Sequence, residues 1–174
     1  MWFLLPKFRN KLNFHWALEA LEENSYSSKD DISDETTLSK TLDDATDDTS
    51  AHNQSSIVFL LETDEKQKFL FTGDAGRDAF NHVPQTLLGK IKDVTWMKVP
   101  HHGSKHNLDS TIIKHVNPEI AYISTEKQGK YLNRSTVFAL KKNGTKVYST
   151  SQNRSTIRHG AIKTREGWTK IEPM

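Results

Sequence analysis

The chain of 174 residues is 34% hydrophobic, and its 24 basic and 22 acidic residues leave a formal net charge of +2. This length predicts one domain, and the low hydrophobic fraction predicts that part of the chain stays outside any core. The lack of cysteine excludes disulfides and thiolate metal sites, and it favours a reducing compartment such as the cytoplasm. No apolar run approaches the roughly 18 residues that a membrane-spanning helix needs, so no span is predicted.

Residues 1–24 are predicted to form a strand and a helix. Trp2 to Leu5 is a short apolar run that Pro6 ends, as in an edge strand. From Leu12 to Leu21, apolar residues recur at helical spacing and predict a single apolar face. His15 lies within this pattern and is predicted to pack there.

Residues 25–52 are acidic. Eight Asp and Glu residues lie between Asp30 and Asp48, whereas Lys29 and Lys40 are the only basic residues nearby. Such a composition buries too little apolar surface to offset the chain entropy, so a disordered or loosely held loop is predicted. The alternative is an acidic loop that binds metal or imitates the charge of a nucleic acid.

Two strands that each run into a polar turn follow this loop. Phe69 to Phe71 leads into Thr72-Gly73-Asp74, and Val94 to Val99 leads through Pro100 into His101-His102-Gly103-Ser104. Strands that end at one edge of a sheet deliver their next residues to the same crevice, so Asp74 is expected to meet the histidines. A carboxylate and imidazoles on short turns suit zinc, manganese or iron. The alternatives are a helix N-cap for Asp74 and a solvated loop for the histidine pair.

The remaining pattern alternates helices and strands. Ile57 to Leu61 and Lys68 to Phe71 are predicted to pair as a hairpin, and the helical pattern from Ala75 to Lys92 is broken by Pro84. Downstream, the pattern predicts a helix over 108–115, a strand over 120–124, a helix capped by Ser135 that ends at Lys142, and a strand over 147–149.

The last part of the chain is basic. Eight Lys or Arg residues and one acidic residue, Glu166, lie between Lys141 and Lys170. This stretch is a candidate contact for nucleic-acid phosphates, and the alternative is an ordinary solvated surface.

Three strings of this sequence together resemble a known family. They are Asn53-x-Ser55-Ser56-Ile57-Val58, Phe71-Thr72-Gly73-Asp74-Ala75 and Lys98-Val99-Pro100-His101-His102-Gly103-Ser104. They are similar to the C-terminal half of metallo-β-lactamase-fold hydrolases, in the branch of the ComEC-type DNA-internalisation competence proteins. The resemblance covers residues 53–150. It implies an α/β fold over 53–174, in which a mixed sheet with helices packed on it makes half of an αββα sandwich.

The resemblance also implies roles for the residues of the two turns. The family residue that matches Asp74 is catalytic and bridges two metal ions, here Zn²⁺ or Mn²⁺. His102 is then expected to bind metal, while His101 faces the substrate and donates a hydrogen bond during catalysis. Gly103 and Ser104 are expected to tighten the turn and to offer backbone N–H groups to the substrate. The implied reaction is hydrolysis, such as that of a phosphodiester by a nuclease.

Two departures from the family pattern leave the implied metal site incomplete. The family string His-x-His-x-Asp-His, which supplies most ligands, does not occur in this chain, and Asn133 stands where the relatives carry a late histidine. A dinuclear site is therefore expected only if a missing N-terminal half complements the chain. That half would come from a separately encoded chain, and a homo-oligomer is the other partner considered.

Three functions of different classes follow from these patterns. The first is the C-terminal half of a metal-dependent hydrolase that is active only when complemented. The second is a non-catalytic relative that serves as a binding or assembly module. The third is a nucleic-acid-binding domain that uses the basic C-terminal stretch, in which the histidines are incidental.

Overall fold

The computed structural model describes residues 2–4, 35–125, 131–151, 155–156, 166, 169–170 and 173–174. A six-stranded sheet has its strands in chain order: β1 Trp2–Leu4, β2 Val58–Glu62, β3 Lys68–Phe71, β4 Trp96–Lys98, β5 Ile120–Ile123 and β6 Lys146–Ser149. Strands β2 and β3 pair antiparallel, as the predicted hairpin requires, and all other neighbours pair parallel. Two short strands, β7 Ser155–Thr156 and β8 Thr169–Lys170, form a separate parallel pair. The predicted mixed sheet is confirmed.

In the described part of the chain, six helices and one 3-10 turn connect the strands. They are α1 Glu35–Asp43, α2 Ala51–Gln54, α3 Arg77–Asn81, α4 Gln85–Leu88, the 3-10 turn Pro100–Gly103, α5 Ser110–Val116 and α6 Arg134–Lys142. Pro84 is the N-cap of α4, so the predicted break of the 75–92 helix at this proline is confirmed. Among the described helices, none combines the length and the apolar character that crossing a membrane requires. The predicted helix over 12–21 and most of the basic C-terminal stretch lie outside the described residues.

One face of the sheet forms the core. Side chains on alternate strand positions share a face, and the row that lies in register from β2 to β6 is at most 3% exposed. Helices cover this row, because Leu42 of α1, Ile113 of α5 and Leu140 of α6 belong to the same buried cluster. The helices therefore pack on the sheet as predicted. The row consists of Leu60, Leu70, Met97, Ala121 and Val147.

The opposite face of the sheet carries a row of aromatic rings, called here the aromatic face: Phe59, Phe71, Trp96, Tyr122 and Tyr148. The ring centroids of successive members lie 4.6, 4.9, 5.2 and 5.5 Å apart. These side chains are half-buried, and none belongs to the core cluster of the described residues. Burial, and then the neighbouring Tyr148, raise the pKa of the Tyr122 hydroxyl to about 12, so this phenol stays neutral.

The acidic segment differs from its prediction as a disordered loop. Helix α1 occupies residues 35–43 within it, Leu42 is fully buried, and residues 25–34 lie outside the described part. The buried guanidinium of Arg77 donates to the carbonyls of Leu42 and Ala45, at 2.7 and 2.9 Å. A cation at the C-terminal carbonyls of a helix satisfies orphan acceptors and complements the helix dipole. The composition of the acidic segment could not predict these hydrogen bonds, because Arg77 lies far away in the sequence.

Candidate functional site

The site lies where the carboxyl ends of three neighbouring parallel strands meet. The hydroxyl of Thr72, after β3, donates to the carbonyl of Lys98 at the end of β4, over 2.6 Å. The His101 amide donates to the Gly73 carbonyl over 3.3 Å, which ties the histidine turn to the turn that carries Asp74. The sheet therefore brings together the two turns that the sequence predicted to meet.

The histidine turn has an unusual backbone. His101 and His102 both have positive φ angles, 42° and 55°, and Gly103 follows at 85°. Left-handed backbone costs a non-glycine residue roughly 1–2 kcal/mol, and such strain is concentrated at functional sites in proteins. The bonds around the turn must therefore hold both histidines in place.

His102 is anchored through one ring nitrogen. Its Nδ1 lies 2.5 Å from the carbonyl oxygen of Ser124, just after β5. A carbonyl only accepts, so Nδ1 carries the hydrogen, and in the neutral ring the lone pair is on Nε2. Within the described residues, no hydrogen-bond partner contacts this Nε2. This is the arrangement in which proteins present a histidine nitrogen to a metal.

His101 is anchored in the same way, but by a carboxylate. Its Nδ1 donates to Oδ2 of Asp48 over 3.0 Å, and the two side chains are only 16% and 11% exposed. The ring also packs against Tyr131, with centroids 4.4 Å apart. The Nε2 atom of His101 has no hydrogen-bond partner among the described residues. Both histidines thus present Nε2 and use Nδ1 as an anchor.

Asp48 is itself held by several donors. The amides of Asn53 and Asn107 donate to its Oδ2, over 2.6 and 3.1 Å, and the Ser50 backbone donates to Oδ1 over 2.9 Å. Burial raises the pKa of this carboxyl, but the bonds from Asn53, Ser50, Asn107 and His101 outweigh burial and lower the pKa from 3.8 to about 2. Asp48 is therefore an anion at neutral pH.

The lowered pKa predicts an acid-sensitive contribution to stability. A depressed folded-state pKa stabilises the fold above the unfolded pKa of 3.8, and this contribution is lost as the pH falls towards the folded value of about 2. We expect Asp48→Asn to reduce the loss of unfolding free energy between pH 5 and pH 2 by about 2 kcal/mol. Urea unfolding of the wild type and the variant at each pH measures these losses. Equal losses in the variant and the wild type would show that Asp48 is not held as described.

Asp74 pairs with a lysine and does not cap a helix. Its Oδ1 lies 3.3 Å from Nζ of Lys98, while the N-cap of α3 is Gly76. Burial lowers the pKa of Lys98, and the charge of Asp74 partly opposes this shift. The amide of Asp74 donates to the Ser56 hydroxyl, and the Asp74 carbonyl accepts from Asn107. The residue is fixed by its backbone, and its Oδ2 has no partner in the described part of the chain.

Gly103 and Ser104 shape the turn. Ser104 is 4% exposed, its amide donates to the carbonyl of His101, and its hydroxyl accepts from the amide of His106. The amide of Ser104 is thus already hydrogen-bonded within the turn. The expectation that this amide donates to a substrate does not fit the structure. The Gly103 carbonyl accepts from the amide of Asn133, which links the turn to the start of α6.

Asn133 stands in place of the family's late histidine and caps α6. Its Oδ1 accepts a hydrogen bond from the Ser135 amide over 2.9 Å. The prediction of Ser135 as the cap was wrong, since the helix begins at Arg134 and Ser135 is already inside it. Asparagine is among the best N-caps because its side-chain oxygen reaches the free amides of the first turn.

The described residues supply too few ligands for a closed metal site. Across 35–125 and 131–151, no three His, Asp or Glu side chains lie close enough together to hold a metal ion. The available donors, Oδ2 of Asp74 and Nε2 of His102, are of types that zinc and manganese accept. The chemical types of these two donors suit a metal ion, but two donors are fewer than a metal site needs, as the missing family string implies.

Sequence reasoning missed Asp48, Asn53 and Asn107 as members of this site. Asp48 lies in the segment predicted to be disordered, and Asn107 is fully buried between that segment and the Asp74 turn. Asn53 belongs to a string that carries the resemblance, which is the one signal that pointed to it.

One known protein is similar in sequence to part of this chain. The chain is 30% identical over 128 residues to ComE operon protein 3 of Bacillus subtilis (strain 168). The aligned part is 72% of this chain and 16% of the relative, so the chain spans about a sixth of the protein that it matches. No protein-family model matches the chain, and no solved structure matches it significantly. The metallo-β-lactamase fold therefore stays a prediction, while the similarity to part of ComE operon protein 3 stands.

Proposed function

We propose that this chain supplies part of a metal-dependent hydrolase site that acts on phosphodiesters. The observation that carries the proposal is the strained histidine turn, in which both rings are anchored through Nδ1 and leave Nε2 without a partner among the described residues, and which is bonded to the turn that carries Asp74. A purely structural turn has no need of two non-glycine residues in left-handed backbone. The strings that resemble metallo-β-lactamase-fold hydrolases carry these residues, which supports the proposal.

The residues divide into two roles. Asp74 and His102 would hold a divalent ion, which when bound polarises a phosphoryl oxygen and activates a water molecule. His101 would bind the phosphoryl group. When its ring is protonated, Asp48 stabilises the imidazolium and Nε2–H donates to a substrate oxygen as negative charge develops there. Lys98, next to Asp74, adds a second positive charge that favours an anionic substrate.

The second candidate function is an assembly module, which the aromatic face favours. Five half-buried rings form a continuous strip on the side of the sheet opposite the core. Such a strip suits the apolar face of another sheet, since stacked sheets bury their facing side chains. The occupant that we propose is a chain carrying the rest of the domain, because the known relative extends well beyond the aligned part. Such a chain would also supply the missing metal ligands.

Metal titration tests the hydrolase proposal. We expect the isolated chain to bind Zn²⁺ or Mn²⁺ weakly, because it offers fewer ligands than the three of a typical catalytic zinc site. Asp74→Asn and His102→Asn should each weaken binding by about tenfold or more, measured by calorimetry. Asparagine is chosen at 102 because it tolerates left-handed backbone.

A matched control comes from a second histidine and aspartate pair. His82 and Asp78 lie 3.2 Å apart and exposed at the C-terminal end of α3, and His82→Asn and Asp78→Asn should leave metal binding unchanged. If the wild-type chain binds neither metal, the hydrolase proposal fails and the assembly module remains. If all four variants weaken binding equally, the ion is bound non-specifically and the proposed ligands are wrong.

A further inference from the structure

The contact between Asp48 and His101 joins distant parts of the chain. Asp48 lies between α1 and α2, in the acidic segment, and reaches the histidine turn with Oδ2 3.0 Å from Nδ1 of His101. Three further donors, from Ser50, Asn53 and Asn107, fix both oxygens of the carboxylate. With both oxygens engaged, the carboxylate cannot turn away from the ring.

The hydrogen-bond chemistry permits one neutral form of His101. A carboxylate only accepts, so Nδ1 must carry a hydrogen to bond with Asp48. The Asn53 amide nitrogen, which donates one of its two hydrogens to Asp48, also lies 3.3 Å from Nδ1, but the Asp48 oxygen is closer to Nδ1, at 3.0 Å, and an acceptor there requires a hydrogen on Nδ1. The neutral ring is therefore protonated on Nδ1 and has its lone pair on Nε2.

We propose that Asp48 is the positioning residue of His101: it sets the tautomer of the neutral ring and holds the orientation of the ring, so that Nε2 carries the hydrogen that an oxyanion such as phosphate accepts once the ring is protonated. The substrate part of this inference rests on the proposed function, whereas the tautomer part does not. A carboxylate in this position stabilises the protonated ring and prevents the ring from turning over. Without it, Nε2 would lose its fixed direction.

A merely structural role for Asp48 is the competing explanation. Asp48 also ties down its own segment, because the side-chain amide of Gln54 donates to its carbonyl and the backbone amide of Asp48 donates to the carbonyl of His106. Loss of stability on substitution would fit both roles. The tautomer of His101 in a folded Asp48→Asn variant separates them, since replacing a residue that only ties down its own segment leaves the tautomer unchanged.

The test is the long-range ¹H–¹⁵N NMR spectrum of the histidine rings at one pH, chosen so that the rings are neutral. We expect His101 to be protonated on Nδ1 in the wild type and to shift towards the Nε2-protonated form in Asp48→Asn. Asp47→Asn is the matched control, because Asp47 is 49% exposed and pairs with Arg77. It should leave the tautomer unchanged. Urea unfolding verifies that each variant is folded.

The wild-type spectrum is decisive even if Asp48→Asn does not fold. An Nε2-protonated His101 in the wild type, or an unchanged tautomer in a folded Asp48→Asn, would overturn the proposal. Inorganic phosphate, added at a lower pH at which the ring is protonated, then tests the substrate part through its effect on the Nε2 resonance of His101. We expect the apparent affinity to fall about tenfold in Asp48→Asn. An Nδ1-protonated ring that does not respond to phosphate would retain the positioning role and reject the proposed phosphate site.

Discussion

Replacing Arg77 by alanine is expected to lower the free energy of unfolding by about 3–5 kcal/mol, the cost typical of breaking a buried charge network. The side chain is 7% exposed and donates to four backbone carbonyls, those of Leu42, Ala45, Lys105 and Leu108. Each hydrogen bond from a charged donor contributes roughly 1.5–3 kcal/mol, and the abandoned carbonyls are partly buried. Urea unfolding at neutral pH measures the loss.

The loss should be concentrated at α1 and the segment that follows it. The Leu42 and Ala45 carbonyls lie at the C-terminal end of α1, while the Lys105 and Leu108 carbonyls lie just after the histidine turn. Arg77 thus joins the acidic segment, including Asp48, to the site. Hydrogen exchange should show the amides of α1 opening in Arg77→Ala by a partial unfolding that the wild type does not undergo.

Two controls separate the carbonyl bonds from the ion pair. Asp47→Asn removes the carboxylate that lies 3.2 Å from the guanidinium. Because that carboxylate is half exposed, we expect this variant to lose less than about 1 kcal/mol of unfolding free energy. Arg77→Lys keeps the charge but cannot reach four carbonyls with a planar fork, so an intermediate loss is expected. If Arg77→Ala costs no more than Asp47→Asn, the acidic segment is not held by these bonds.

The sequence predicted the parts of the fold that depend on neighbouring residues. The break at Pro84, the hairpin from Val58 to Phe71 and the meeting of the two turns all follow from local signals and from the geometry of strand ends. A proline fixes its own φ angle, and a continuous run of apolar residues such as Val58 to Leu61 predicts a strand that is covered on both faces, whatever lies elsewhere in the chain. Such features can be predicted before any tertiary contact is known.

The acidic segment could not be predicted in the same way. Its composition is that of a solvated loop, and its order depends on Leu42 entering the core and on a guanidinium that lies about thirty residues further along the chain. For the same reason Asp48 was not predicted as a member of the candidate site, because its partners His101 and Asn107 are more than fifty residues away. Long-range partners decide such positions, and composition does not report them.

The cap of α6 shows a different kind of error. Asn133 and Ser135 are both residues that cap helices well, so propensity alone does not choose between them. The family pattern indicates a lost histidine ligand at Asn133 and gives no signal of its capping role. In the structure Asn133 has two roles: its side chain caps α6, and its backbone amide donates to the carbonyl of Gly103.

Gly103→Ala is expected to destabilise the chain by about 2–4 kcal/mol, because the substitution adds backbone strain to steric overlap. The φ angle of Gly103 is +85°, and a Cβ atom there would lie 3.2 Å from Cγ2 of Ile123 and 3.2 Å from Cδ1 of Leu132. Ile123 is a fully buried residue of β5, so its side chain cannot move aside freely. The overlap should therefore displace the turn itself.

Gly144→Ala is the matched control for this prediction. Gly144 has nearly the same φ, +88°, but a Cβ atom there would meet nothing within 4 Å. It isolates the backbone strain, for which we expect about 1–2 kcal/mol, and the excess in Gly103→Ala measures the packing of the histidine turn. Urea unfolding of both variants gives this difference directly. Equal losses would mean that the turn has room to adjust, in which case Ile123 and Leu132 do not help to hold His101 and His102 in their left-handed backbone.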